Sequence, residues 1–131
     1  MIIDTSAIVA ILRDEAGASD CALAIEKTRN RRISAANYVE IALVIDKSRD
    51  PIASRRFDEF LKEANISVEP VTLEQARHAR EAYRDFGEGS GHPAKLNFGD
   101  CFAYALAKAT GEPLLFKDDD FIHTDISSAF G

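Results

Sequence analysis

Four acidic positions carry the chemistry that this sequence offers: Asp4, Glu40, Asp100 and the run Asp118-Asp119-Asp120. Asp4 ends a short apolar run, Met1-Ile2-Ile3, and stands directly before Thr5-Ser6 and the apolar-periodic stretch Ala7 to Leu12. Glu40 is the only charge between Ala36 and Asp46, and its helical neighbours are Ala36, Asn37, Leu43 and Val44, a largely apolar stripe. An unpaired buried carboxylate is costly, so Glu40 needs a cation, a metal or a hydrogen-bond network beside it. Asp100 falls in the first turn of a helix that Asn97 can cap, and Cys101 to Ala107 after it carries no charge. Three consecutive carboxylates at Asp118 to Asp120 repel one another unless a cation or hydrogen-bond donors relieve them. Each acid also has a structural reading. Asp4 alone suits a helix cap, Glu40 a salt bridge, and Asp100 the positive end of a helix dipole. Taken together, clustered carboxylates without a Cys or His ligand pattern are hard oxygen ligands suited to Mg²⁺ or Mn²⁺. Such an ion activates water and offsets the charge of an attacked phosphate, which points to metal-assisted phosphodiester chemistry.

These acids can converge only if the elements between them bring them to one edge. The pattern predicts a strand at Met1–Ile3, helices over Ser6–Arg13 and Gly17–Thr28, and a short strand at Ile33-Ser34. Helices follow over Ala36–Lys47 and Pro51–Asn65, the second opened by Asp50-Pro51. Ile66–Val71 reads as a strand, and Thr72 with Gln75 gives a capping-box-like start to a helix through Phe86. Gly87–Lys95 is a loop with three glycines, His92 and Pro93. A last buried helix runs from Asn97 to Gly111, then a strand at Pro113–Phe116 and a final strand candidate at Thr124–Ile126. Alternating short apolar runs and helices argue for βαβ units around a parallel sheet, and ligands bind such sheets beyond the carboxyl ends of the strands. In this arrangement Thr5 and Ser6 serve as the cap of the first helix, which leaves Asp4 free to hold metal.

With 131 residues the chain is most simply one domain, 1–131, and can bury a real core. Its formal charge of −6 argues against simple non-specific binding to polyanions, so a nucleic-acid partner requires a metal or a local basic patch. Two such patches occur: Lys27, Arg29, Arg31 and Arg32, and the helical face of Arg77, Arg80 and Arg84. Either can be a solvated face or a contact surface for RNA or a protein partner. Cys21 and Cys101 form neither a metal spacing nor a disulfide framework and read as packed, reduced thiols. With no leader and no membrane-spanning run, the chain reads as cytoplasmic. Walker loops, GxSxG elbows and HExxH motifs are absent.

The opening Ile3-Asp4-Thr5-Ser6-Ala7, Glu40 in the third helix, the block Leu96-Asn97-Phe98-Gly99-Asp100-Cys101-Phe102-Ala103-Tyr104-Ala105-Leu106-Ala107 and Pro113-Leu114-Leu115-Phe116-Lys117 resemble the PIN-domain ribonucleases. Within them they resemble the VapC toxins of type II toxin–antitoxin modules. The resemblance implies a three-layer α/β/α fold with a central parallel sheet of four to five short strands. It implies a Mg²⁺- or Mn²⁺-dependent endoribonuclease that cleaves cellular RNA and arrests translation and growth. It also implies a homodimer, inhibited by a VapB-type antitoxin that occupies the acidic site. By position Asp4, Glu40 and Asp100 match the family's acids, and the fourth falls among Asp118, Asp119 and Asp120, with Asp118 preferred as nearest the strand end and Asp120 second. Two other readings of the same acids are a structure-specific DNA nuclease and a non-catalytic RNA- or protein-interaction module.

Overall fold

The computed structural model describes residues 1–131. Four short strands form one parallel sheet: β1 (Ile2–Ile3), β2 (Arg32–Ser34), β3 (Ser67–Glu69) and β4 (Leu114–Leu115), in the order β3-β2-β1-β4. Between them run α1 (Thr5–Leu12), α2 (Ala18–Lys27), α3 (Ala35–Asp46), α4 (Pro51–Glu63), α5 (Leu73–Phe86) and α6 (Phe98–Thr110). The chain steps outward from β1 to β2 to β3 and then returns to the other side of β1. The strand order therefore reverses between β1 and β4, where open parallel sheets leave a crevice for ligands.

Side-chain alternation on these strands builds two cores. Ile2 and Leu114 point to one face, into a buried cluster with Ala79 and Ala82 of α5 and Ala103, Leu106 and Ala107 of α6. Ile3, Ile33 and Leu115 point to the other face, against Ile8 of α1, Cys21 and Ile25 of α2, Ile41 and Ile45 of α3, and Phe57 and Leu61 of α4. The fold is thus a three-layer α/β/α sandwich. Burying one such isoleucine fully is worth about 1.5–3 kcal/mol, so the two-residue strands are held mainly by what covers them.

Helix boundaries follow local chemistry. Asp50 caps α4 through its side chain with Pro51 in the first turn, and Gly111 closes α6 in the left-handed conformation (φ 72°). Thr72 caps α5 by accepting from the Gln75 N–H, without the reciprocal bond of a full capping box. The strand expected over Ile66–Val71 is shorter because β3 is the sheet edge, with Val68 and Val71 exposed. The strand candidate at Thr124–Ile126 is a correction. These three residues bend between a 3₁₀ turn (Asp120–His123) and Ser128, which alone pairs with Leu114 through an isolated bridge. Phe121 is drawn into the core beside Phe116 (ring centroids 5.2 Å apart), and Asp125 is taken by the Tyr104 hydroxyl and Lys108. Cys21 and Cys101 are buried free thiols. No helix is long and apolar enough to cross a membrane.

Candidate active site

Asp4 leaves the end of β1 at the reversal of strand order and is 2% exposed. It is itself the N-cap of α1: its Oδ2 accepts from the Ser6 N–H (3.0 Å) and the Ser6 hydroxyl (2.6 Å). The expectation that Thr5 and Ser6 cap the helix and leave Asp4 free is corrected. Asp4 has the extended backbone of a cap (φ −81°, ψ 156°), whereas Thr5 is already helical. Only one oxygen is spent in this way. Asp4 Oδ1 is buried with no hydrogen-bond partner. Burial pushes the Asp4 carboxyl up to about 6, against the Ser6 hydrogen bonds, with the Glu40 and Asp118 charges adding to the rise. Ser6 Oγ in turn accepts from the Lys117 N–H (3.0 Å), which ties the exit of β4 to the start of α1.

Glu40, half-buried on α3, has no cation paired to it and instead has a hydrogen-bond network. The Thr5 hydroxyl and the Asn37 amide both donate to its Oε1. Asn37, itself completely buried, also donates to the Gly99 carbonyl at 3.0 Å. Asp100 follows Gly99 in the first turn of α6 and forms a full capping box with Asn97: each side chain accepts from the other's backbone N–H, at 2.9 and 3.0 Å. Burial pushes the Asp100 carboxyl up to about 7 despite the Asn97 N–H, with Asp4, Asp120 and Glu40 as the charges that reinforce it. The Asp118 carboxyl is also raised, by desolvation and then by Asp120.

Asp4, Glu40, Asp100 and Asp118 line one cavity of about 320 Å³, together with Thr5, Ser6, Asn97, Glu15 and two cations, Arg13 and Lys117. Asp119 lies outside it and lines a neighbouring groove, and Asp120 opens the 3₁₀ turn and bears on the cavity through its charge on Asp100 and Asp118. No three acidic, His or Cys side chains are drawn tight enough to form a ready-made ion cage. The residues nonetheless fit a hard divalent cation: all the donors are oxygens, one buried carboxylate oxygen is unpartnered, and three carboxyls are raised by burial and mutual repulsion.

The basic clusters stand elsewhere. Arg31 donates to the carbonyls of Thr28, Ala64 and Glu26, and Arg32 pairs with Glu112, so both are structural. They also precede β2 or begin it, at the opposite end of the sheet from Asp4. Arg77, Arg80 and Arg84 are exposed on α5, with Arg84 paired to Asp85. His92 packs edge-on against Phe86 and accepts from the Ala94 N–H, holding its loop together. Reasoning from sequence missed Asn37, Gly99 and Arg13. Two of them carry a signal: Asn37 is a polar residue one turn before Glu40 on an apolar stripe, and Gly99 occupies a helical first turn where alanine is the better helix former.

The three-layer α/β/α chain matches the PIN domain over residues 1–127. The chain belongs to that family and, within it, to the VapC ribonucleases, the toxins of toxin–antitoxin systems. It is similar to ribonuclease VapC28 of Mycobacterium tuberculosis, with 58% identity over 129 residues covering 98% of this chain and 97% of the relative. Ribonuclease VapC42 of the same species is 54% identical over 98% of both chains. Among solved structures, M. tuberculosis VapC20, a Sarcin-Ricin loop cleaving toxin, superposes with a TM-score of 0.75 at 17% identity, over 95% of each chain.

Proposed function

We propose that the chain is a single PIN domain, residues 1–131, that hydrolyses RNA phosphodiester bonds at the cavity of Asp4, Glu40, Asp100 and Asp118 with Mg²⁺ or Mn²⁺ bound there. The observation that carries this reading is the buried, unpartnered Oδ1 of Asp4 at the strand-order reversal, in a cavity shared with three other acids. Asp4 and Asp100 are the principal ligands, and Glu40 and Asp118 complete the shell directly or through water. When bound, such an ion activates water and offsets the charge on the attacked phosphate. The chain's own residues do the rest. Thr5 and Asn37 fix the Glu40 carboxylate, Ser6 fixes Asp4, and Arg13 flanks the cavity with positive charge for the RNA backbone, beside a Lys117 ammonium that is paired with Glu15. The relatives' names as ribonucleases favour RNA over flap DNA as the substrate and catalysis over a purely structural role for the acids.

The substrate class is cellular RNA (tRNA, rRNA or mRNA), cut in the cytoplasm, which suits two buried free thiols. A VapB-type antitoxin is the inhibiting partner; a structural neighbour with a TM-score of 0.67 is itself a toxin–antitoxin complex from Klebsiella pneumoniae, 17% identical over 92% of this chain and 88% of that one. The groove beside the acids, about 720 Å³ and lined by Leu23, Ile122 and Phe130, shares Lys117 and Asp118 with the acidic cavity, and a basic apolar segment suits it. A homodimer is supported by the exposed apolar side chains Val39 and Leu43 on α3 and Phe98 on α6. The test is RNA cleavage by folded Asp4→Asn and Asp100→Asn proteins. Loss of Mg²⁺-dependent cleavage is expected, and undiminished cleavage overturns the site.

A further inference from the structure

A glutamate reaches its target through three rotatable bonds, so a metal ligand of this kind is useful only if something outside the metal holds it. Around Glu40 that something is visible, and it centres on a residue with no charge. Asn37 lies one turn earlier on α3 and is wholly buried. Its amide nitrogen faces three acceptors: the Gly99 carbonyl at 3.0 Å, the Thr5 hydroxyl at 3.3 Å and Glu40 Oε1 at 3.4 Å. An amide nitrogen has two hydrogens and no acceptor lone pair. One hydrogen goes to Gly99; the other is shared between Thr5 and Glu40. Because Asn37 can only donate to Thr5, the Thr5 hydroxyl keeps its own hydrogen for Glu40 Oε1, the bond the structure contains. The direction of the network is therefore fixed from Asn37 through Thr5 to the carboxylate. Turning the amide over would set its oxygen against the Gly99 carbonyl and the Glu40 carboxylate, which favours this orientation although it leaves Asn37 Oδ1 buried without a partner.

Gly99 completes the arrangement from the other side. A Cβ built on Gly99 would stand 1.8 Å from Glu40 Oε2, 2.4 Å from Cδ and 2.6 Å from Oε1. The carboxylate occupies the space that the Cβ of every other residue would fill. The glycine is required here by close approach and not by backbone conformation, since its φ is not in the left-handed region. Thr5 adjoins Asp4 and Gly99 adjoins Asp100, so one buried amide and one missing side chain lock Glu40 between the two other acids.

We propose that Asn37 and Gly99 are positioning residues for Glu40: Asn37 orients its carboxylate through Thr5 and directly, and Gly99 provides the floor on which it rests. The inference rests on the metal-site reading above. The experiment is a pair of double-mutant cycles. In the first, Mn²⁺ binding is measured by calorimetry and by the free-Mn²⁺ electron paramagnetic resonance signal for wild type, Asn37→Ala, Glu40→Ala and the double variant. Asn37→Ala is expected to weaken Mn²⁺ binding about 10–100-fold, as loss of a residue that orients a ligand does, and to add no further loss once Glu40 is absent. A wild-type affinity in Asn37→Ala, or the same loss with and without Glu40, overturns the proposal. In the second cycle, thermal melts in chelator compare Gly99→Ala in the wild type and in Glu40→Ala. The Tm is expected to fall only where Glu40 is present, and an equal fall in both backgrounds overturns the proposal even if Asn37→Ala does not fold. Wild-type protein that binds no Mn²⁺ refutes the metal site itself, an outcome separate from the melts, which read the packing of Glu40 on Gly99 without any ion.

Discussion

Asp4→Asn should make this protein more stable while it destroys its activity. Asp4 is buried, and its carboxyl is raised from 3.8 to about 6, chiefly by desolvation. At about 1.4 kcal/mol per pH unit, ionising it in the folded protein costs about 3 kcal/mol more than in the unfolded chain. A raised carboxyl means that the folded state holds the proton more tightly. Its contribution is therefore fully present below pH 3.8 and is lost as pH rises through about 6. Asparagine cannot ionise, and it caps a helix as well as aspartate does, so its oxygen keeps both Ser6 bonds. Its amide nitrogen takes the place of the unpartnered Oδ1, facing a cavity lined by Glu40, Asp100 and Asp118 that accepts a donor well. In chelator at pH 8 the variant should gain about 1–3 kcal/mol, a rise in Tm of at least about 3 °C. At pH 4 that gain should shrink to about 0.5 kcal/mol. Urea and thermal melts at both pH values measure it, with RNA cleavage in Mg²⁺ alongside. An Asp4→Asn protein that is destabilised equally at pH 4 and pH 8 refutes the account of a strained, buried charge.

Other consequences follow from the same geometry. A divalent cation should stabilise the wild-type fold at pH 8 by about 2.7 kcal/mol at a hundredfold excess over its Kd, read as a higher Tm; chelator should reverse the effect and Asp4→Asn should abolish it. Because Asp118 lines the cavity and Asp119 does not, Asp118→Asn should reduce RNA cleavage at least tenfold while Asp119→Asn leaves it near wild type; the opposite ranking in a gel assay moves the fourth acid. Arg31→Ala breaks hydrogen bonds to three backbone carbonyls that join α2, β2 and the end of α4. It should cost about 1.5–3 kcal/mol in urea melts and leave the cleavage rate of the folded protein unchanged.

The acids were legible in the sequence because charge inside apolar periodicity is a local signal. Asp4 after Ile2-Ile3, Glu40 on the stripe of Ile41 and Ile45, and Asp100 before seven uncharged residues each break a pattern that their neighbours set. The parallel sheet was legible for the same reason, since short apolar runs and helices alternate along the chain. What the sequence left open was every choice that depends on which residues meet across the fold. Whether Asp4 or Thr5 begins the helix turns on one residue of backbone conformation, and a one-residue difference frees or occupies a carboxylate oxygen. Which of Asp118 to Asp120 lines the cavity is settled where Phe121 is buried against Phe116 and the chain turns into the 3₁₀ turn that Asp120 opens. Arg31 and Arg32 read as either a solvated helix end or a contact surface until the fold put them at the far end of the sheet and matched them to carbonyls and Glu112. Asn37 and Gly99 are 62 residues apart, and neither has meaning without the other. Residue type and spacing alone determined that this protein gathers carboxylates at the ends of its strands. Packing decided which oxygens are free, because only the tertiary structure brings each acid to its hydrogen-bond donors.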